Sequence, residues 1–231
     1  MPKLVAMKNL RNLLVCLSML CSLKAIAQSE NFIQLSGGLS LAAGDLISNG
    51  ASNTGYSVSA LFQSKLPRKK HLGFVAMVRT QSFKIDPARF TTGGGIMSST
   101  SYDISSLLVG AMWSFELNKN IYFEPRAMIG AAISQSPSIT GTPGNYIYIT
   151  NSATDTAPAL ALGTNFRFDV TKKVSMFMNF DYFITRPKFQ STSYIVPDYN
   201  APPWIIPNTE YHSSVQQLDS FSFSVGIGYR F

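Results

Sequence analysis

A histidine and a serine near the C-terminal end of this 231-residue sequence have the spacing that comes closest to a catalytic pair. His212 precedes Ser214 by two positions, and the carboxylates of Glu210 and Asp219 are close in the sequence. Residues i and i+2 of an extended strand share a face, so His212 could take the proton of the Ser214 hydroxyl and make it a nucleophile. His-x-Ser is nevertheless a weak motif in a serine-rich segment. We therefore expect no catalytic function.

Six charged residues are the second group of interest, because each lies in a segment of otherwise small polar and apolar side chains. They are Arg79, Glu124, Arg126, Arg167, Asp181 and Arg230. Glu124 and Arg126 share one face of a segment, and we expect Arg167 to approach their level from the next one. Buried ions are tolerated when they pair and hydrogen-bond, so a structural network is expected. The alternative is a path for protons or ions.

The first 27 residues have the features of a secretory signal. A positively charged start is followed by a short apolar core and by the small-x-small site Ala25-Ile26-Ala27. We expect residues 1–27 to be removed and residues 28–231 to form one domain. The leader carries four basic residues and no acid, so its removal lowers the net charge from +7 to +3. The remaining charge does not favour a nucleic-acid partner.

The composition of the remaining chain excludes several kinds of site. Both cysteines, Cys16 and Cys21, lie in the leader, so disulfides and thiolate metal sites are excluded from the mature domain. No metal-ligand spacing, phosphate-binding loop or nucleotide motif is present, and no cofactor is expected. Only 13% of the residues are charged, against about 25% in a typical soluble domain.

Period-two alternation of apolar and polar residues recurs eight times and predicts eight β-strands. The segments are roughly 31–41, 54–64, 72–83, 102–115, 121–133, 157–168, 174–186 and 218–231. Short basic links alternate with long links, which indicates a closed antiparallel barrel with an up-and-down meander. Pro125 lacks a backbone donor, so we expect a bulge or irregular pairing there.

The apolar face is predicted to point outward, into lipid. Eight strands enclose an interior only just wide enough for side chains, and the apolar face, rich in aromatic residues, would overfill it. The other face is read as mostly Gly, Ser and Asn and carries the six charges, which would be costly in lipid. Aromatic residues are expected in two girdles. The girdle at the short links comprises Trp113, Phe115, Phe123, Phe166, Phe168, Tyr229 and Phe231, and the other comprises Tyr56, Tyr102, Tyr182 and Phe221.

With this signal, these eight strands and its closing Tyr229-Arg230-Phe231, the chain resembles small eight-stranded outer-membrane barrels of the OmpA/OmpX-like group common in Bacteroidota. The resemblance implies a closed transmembrane β-barrel in a Gram-negative outer membrane, with outer-membrane lipid around it and long loops outside. It also implies that Tyr229 and Phe231 form a signal read by the barrel-assembly machinery. Some barrels of this kind modify lipid A, which leaves an enzyme with His212 and Ser214 as an alternative.

The long links carry the remaining functional signal. Residues 146–150 alternate and could extend the barrel as a hairpin, while residues 187–217 are unusually apolar and proline-rich. We expect this last link either to fold over the barrel mouth or to present an aromatic patch that binds an extracellular protein or glycan. The candidates for such a patch are Tyr194, Tyr199, Trp204 and Tyr211. The predicted function is non-enzymatic, either structural or adhesive, with a subunit of a larger envelope complex as a further alternative.

Overall fold

The computed structural model describes residues 31–48, 51, 53–66, 71–85, 96–141, 146–197 and 208–231. The predicted leader and its cleavage site lie outside these residues. None of the described helices is long and apolar enough to cross a membrane.

Eight long strands form a closed antiparallel barrel, as the alternation predicts. They are β1 (Asn31–Ala43), β2 (Thr54–Lys65), β3 (Leu72–Lys84), β5 (Ser101–Trp113), β7 (Ile121–Gln135), β10 (Thr154–Asp169), β11 (Val174–Thr185) and β14 (Leu218–Arg230). Each strand pairs with the next along the chain, and β14 pairs with β1 over the register Phe32–Arg230 to Ala43–Asp219. All eight predicted strands are present, with ends that differ by at most three residues.

The described chain has seven shorter elements. They are α1 (Asp45–Ser48), β4 (Ile96–Ser99), β6 (Phe115–Asn118), β8 (Ile139–Gly141), β9 (Tyr146–Thr150), β12 (Lys188–Pro197) and β13 (Asn208–Val215). Strand β6 follows β5 in the barrel sheet and pairs with β7. The strands β13, β12, β9, β8 and β4 form a separate five-stranded outer sheet, in that order. The three long links after β3, β7 and β11 therefore build one sheet together.

The predicted outward direction of the apolar face is confirmed. Large apolar side chains such as Leu35, Val109 and Ile227 are 43–64% exposed, whereas Ser40, Gln34 and Asn179 on the alternate positions are at most 2% exposed. The interior is less polar than expected, because Met77, Leu108 and Met128 point inward and belong to a continuous apolar core. Serine hydroxyls line the interior at the β1–β14 pair instead, where Ser40 Oγ and Ser222 Oγ lie 2.6 Å apart.

One predicted girdle residue is wrong. Tyr102 is 4% exposed and shares the inward face of β5 with Ile104, whereas Tyr56 and Phe221 are more than half exposed on the outside. The prediction used the residue type and its position near the end of the strand. The face is decided instead by the alternation of side chains along the strand, which places Tyr102 inside.

Pro125 interrupts the ladder as expected, but without a bulge. The β5–β7 pairing stops at Met112–Arg126, and β6–β7 pairing resumes at Phe115–Phe123 in an unchanged register. The strand breaks at Ser114, whose N–H donates to the His71 carbonyl at 2.7 Å. A register shift does occur, further along, between Glu116 and Asn118.

Within the described residues, side chains of the first link and Phe189 of the last link fill the mouth at the long-link end. Leu46 of α1 is fully buried in the apolar core, together with Phe83, Phe183 and Leu218. The Gln217 N–H donates to Asp45 Oδ2 at 3.1 Å and holds α1 against the start of β14. The described part of the last link forms the β12–β13 hairpin, which buries Phe189 in this core and leaves β13 exposed.

Two adjacent glycines of β1 give a test of how tightly the barrel closes. A Cβ on the inward Gly38 would overlap the carbonyl oxygen of Phe223 and approach Ser224 Cα to 2.5 Å, whereas a Cβ on the outward Gly37 would lie 3.8 Å from the Ser57 oxygen. We expect Gly38→Ala to lower the free energy of unfolding by about 1–3 kcal/mol. Gly37→Ala should be neutral, or stabilising by about 0.4–1 kcal/mol. Reversible unfolding in liposomes measures both, and equal effects would contradict the described strand closure.

Candidate functional site

The inward charges form two separate groups, and the first is centred on Asp181. Arg126 Nη2 lies 2.7 and 2.8 Å from the two Asp181 oxygens, and Arg126 Nε donates to Oδ1 at 3.1 Å. Arg79 Nη1 is 4.0 Å from Asp181 Oδ2, and Arg79 also donates to Ser222. Arg126 donates further to Asn165. Side chains from β3, β7, β10, β11 and β14 are thereby tied together across the interior.

The second group lies near the short-turn end and is built around Arg167, which is fully buried. Its guanidinium carbon is 4.0 Å from the ring centroid of Tyr122 and 4.5 Å from that of Phe32. Glu124 Oε1 lies 3.5 Å from Arg167 Nη1, and Asp169 Oδ1 lies 3.4 Å from Arg167 Nε. The cation is therefore held between two rings and two carboxylates.

Asp169 joins this second group to the last strand. Arg230 Nη2 donates to Asp169 Oδ2 at 2.6 Å, and the Arg230 guanidinium lies 4.6 Å from the Phe32 ring. Ser175 Oγ donates to Asp169 Oδ1 at 2.7 Å. Two arginines thus share two carboxylates, and the group is formally neutral.

Arg167 approaches Glu124 from the next barrel strand, β10, as expected, but the six charges divide into two groups. Glu124 and Arg126 do not pair with each other: Glu124 pairs with Arg167, and Arg126 with Asp181. Asp169 was missed, although it follows Arg167 by two residues on the same face of β10 and that spacing could have identified it. All six charges have an oppositely charged partner inside the barrel, and their structural role stays a prediction.

One face of the outer sheet carries large apolar side chains among polar ones. Thr192 pairs with Tyr211 and Tyr194 pairs with Ile149, so these residues lie on the same side of the sheet. Tyr211 is 84% exposed and Tyr194 is 38% exposed. Every residue of β13 is exposed, and β13 is the last strand of the sheet in the described chain. The other two candidates, Tyr199 and Trp204, lie outside the described residues.

The candidate catalytic pair lies on this exposed edge strand. His212 Nε2 is 3.4 Å from Glu210 Oε2, and Ser214 Oγ accepts a hydrogen bond from Gln216 Nε2 at 3.3 Å. Both His212 and Glu210 are about half exposed, so water surrounds them. No group of three or more potential metal ligands occurs in the described part of the chain.

Comparison with known proteins identifies the fold. No family model matches the chain, and no curated protein sequence is significantly similar to it. A major outer membrane protein from Thermus thermophilus matches with a TM-score of 0.56 and 13% identity, over 87% of this chain and 99% of that one. Ail, the attachment invasion locus protein of Yersinia pestis, matches with a TM-score of 0.49 and 12% identity over 88% and 99%. Neisserial surface protein A matches with a TM-score of 0.43 and 16% identity, over 87% of this chain and 97% of that one.

The fold is that of the small eight-stranded outer-membrane barrels. With the apolar outer face of the strands, this fold places the chain in the outer membrane of a Gram-negative bacterium. In such barrels the short turns face the periplasm and the long loops face outward. The outer sheet is then extracellular, and the group around Arg167 lies at the periplasmic end.

Proposed function

We propose that this small eight-stranded outer-membrane barrel is a non-enzymatic binding protein that holds an extracellular partner on its outer sheet. The observation that carries the proposal is the exposed edge strand β13 beside a sheet face that presents Tyr194 and Tyr211. An exposed edge offers unpaired backbone N–H and C=O groups that can pair with an extended segment of another chain. Exposed tyrosines are the type of side chain that anchors such contacts. A protein partner therefore fits this surface better than a glycan.

The remaining parts of the proposal concern how the chain reaches the membrane. The leader 1–27 would direct export and be removed, and residues 28–231 would be inserted by the barrel-assembly machinery. Tyr229 and Phe231 would form its recognition signal. Both side chains point outward and are about half exposed, so they are available to a partner before the strands close.

The binding function predicts a specific loss when the two outer tyrosines are removed. Cells that display the Tyr194→Ser, Tyr211→Ser double variant should be retained at least about ten-fold less than wild-type cells on panels of immobilised extracellular proteins. Tyr56→Ser is the matched control, because Tyr56 is also exposed but belongs to the lipid girdle of β2. Equal retention of the double variant, or wild-type retention no higher than that of cells without the chain, would refute the proposal. Retention of the cells on immobilised glycans but not on immobilised proteins would identify the partner as a glycan.

The enzyme alternative makes a separate prediction. If His212 and Ser214 do not act on lipid, then His212→Ala and Ser214→Ala leave the acylation pattern of lipid A unchanged in mass spectra of expressing cells. A pattern that differs between wild type and both variants, but not Ser213→Ala, would establish the enzyme instead. We expect no change, because the hydrogen bond of Ser214 is with Gln216 rather than with His212, and His212 is open to water.

A further inference from the structure

The periplasmic turns carry a cluster of exposed lysines. Lys119 lies in the β6–β7 turn, and Lys172 and Lys173 lie in the β10–β11 turn. The Asp169 N–H donates to the Asn120 carbonyl at 2.9 Å, so the two turns are adjacent. We call Lys119, Lys172 and Lys173 the rim cluster.

The turn that carries two of these lysines has a fixed conformation. The N–H groups of Val170 and Thr171 both donate to the Val174 carbonyl at 3.0 Å. The N–H groups of Lys173 and Val174 donate to Thr171 Oγ1 at 3.2 and 2.9 Å. The lysine stems therefore start from a preorganised backbone, which reduces the entropy cost of binding.

The acid next to the rim cluster is already engaged. Asp169 accepts from Arg230 at 2.6 Å and from Ser175 at 2.7 Å, and it also faces Arg167. Glu116 of β6 is a further acid at this end, and it is exposed. Three lysines against Glu116 leave the rim cluster with a net positive charge.

An aromatic ring places the ammonium group of Lys173 at the depth of lipid headgroups. The Lys173 ammonium lies 6.0 Å from the ring centroid of Tyr229, and that ring is 48% exposed on the lipid face. Trp113 and Phe115 are exposed on the lipid face at the same end of the barrel. Such rings mark the membrane interface, and lysines extend their ammonium groups into it.

We propose that the rim cluster binds the headgroup of an acidic phospholipid in the periplasmic leaflet. The ammonium groups would contact the lipid phosphate, and the lack of a cation in an acidic headgroup would make it preferable to phosphatidylcholine. The proposal rests on outer-membrane residence but not on binding by the outer sheet, because the two surfaces lie at opposite ends of the barrel. Failure of the adhesion experiment would leave it intact.

The test uses Trp113 as the reporter, because its ring is exposed on the lipid face at the same end of the barrel as the rim cluster. The full chain with Trp204→Phe, which removes the other tryptophan of the mature chain, is reconstituted in liposomes of phosphatidylcholine and phosphatidylglycerol. The two lipids are brominated in separate experiments, and the bromine atoms quench the fluorescence of Trp113. The extent of quenching by each lipid gives the affinity of the protein for phosphatidylglycerol relative to phosphatidylcholine. We expect about a five-fold preference for phosphatidylglycerol at low ionic strength, equivalent to one lysine at the surface.

The preference should disappear in the Lys119→Gln, Lys172→Gln, Lys173→Gln variant and weaken in high salt. Lys84→Gln, an exposed lysine at the opposite end of β3, should retain it. The proposal is overturned if the wild type binds phosphatidylglycerol and phosphatidylcholine with equal affinity, a ratio of one. It is also overturned if the triple variant keeps the wild-type ratio. Loss of the preference on adding inorganic phosphate would mean that free phosphate is the ligand. A ratio of one together with lysine-dependent co-sedimentation with purified peptidoglycan would assign the rim cluster to that acidic polymer instead.

Discussion

Replacing Glu124 by alanine should lower the free energy of unfolding by about 3–5 kcal/mol, the cost expected when a buried ion loses its partner. Glu124 and Arg167 are both fully buried, and Glu124 Oε1 faces Arg167 Nη1 and accepts from Ser114 Oγ at 3.1 Å. Without Glu124, this group would keep one carboxylate, that of Asp169, for the two arginines Arg167 and Arg230. Reversible denaturant unfolding in liposomes measures the change.

Two further variants separate this ion pair from other effects. Glu116→Ala removes an exposed acid from the same end of the barrel and should cost no more than about 0.5 kcal/mol. The Glu124→Leu, Arg167→Met double variant removes both charges and should be more stable than Glu124→Ala alone, because no unpaired ion remains. A Glu124→Ala effect as small as that of Glu116→Ala would show that the pair does not stabilise the barrel.

Introducing arginine at Val109 should be the most damaging change on the outer face. Val109 lies near the middle of β5, points outward, and pairs with Ala76 and Ile129. An arginine at the midplane of an outer-membrane barrel costs about 2–4 kcal/mol, and this cost falls towards the interfaces. We expect a loss of that size in the same unfolding measurement.

The depth dependence supplies the control. Ser105 lies on the same face of the same strand, four residues towards the outer end, and is exposed. Ser105→Arg should cost only about 0–1 kcal/mol, because the guanidinium can reach the headgroups. Val109→Leu should be nearly neutral. A neutral Val109→Arg would show that this face meets water rather than lipid.

The barrel itself was predictable from the sequence because strand period, face and link length all follow from local alternation. In β14, for example, Phe221 to Phe231 alternate with small and polar residues without interruption, and the structure has the strand as expected. The irregular pairing near Pro125 was also predictable, because proline has no backbone N–H to donate to the neighbouring strand.

The pairings inside the barrel were harder to predict, because they depend on the stagger between strands. The sequence shows that Arg126 and Asp181 both point inward, but only the register through β10 brings Asp181 level with Gly163, opposite Arg126. Of the outer sheet, the alternation of residues 146–150 predicted β9, but the assembly of five strands into one sheet was missed for a similar reason. Its strands come from three separate links, and β4 and β8 are only four and three residues long, too short to show a period.

The pairing of β1 with β14 also determines how the chain can fold. Phe32 meets Arg230 across nearly the whole domain, so closure requires contacts of the greatest sequence separation, and loop-closure entropy opposes them until late. Until then, an incomplete sheet has two open edges and exposes its lipid-facing side chains to water, which favours aggregation. Folding of this chain should therefore be slow and should depend on holding chaperones during transit.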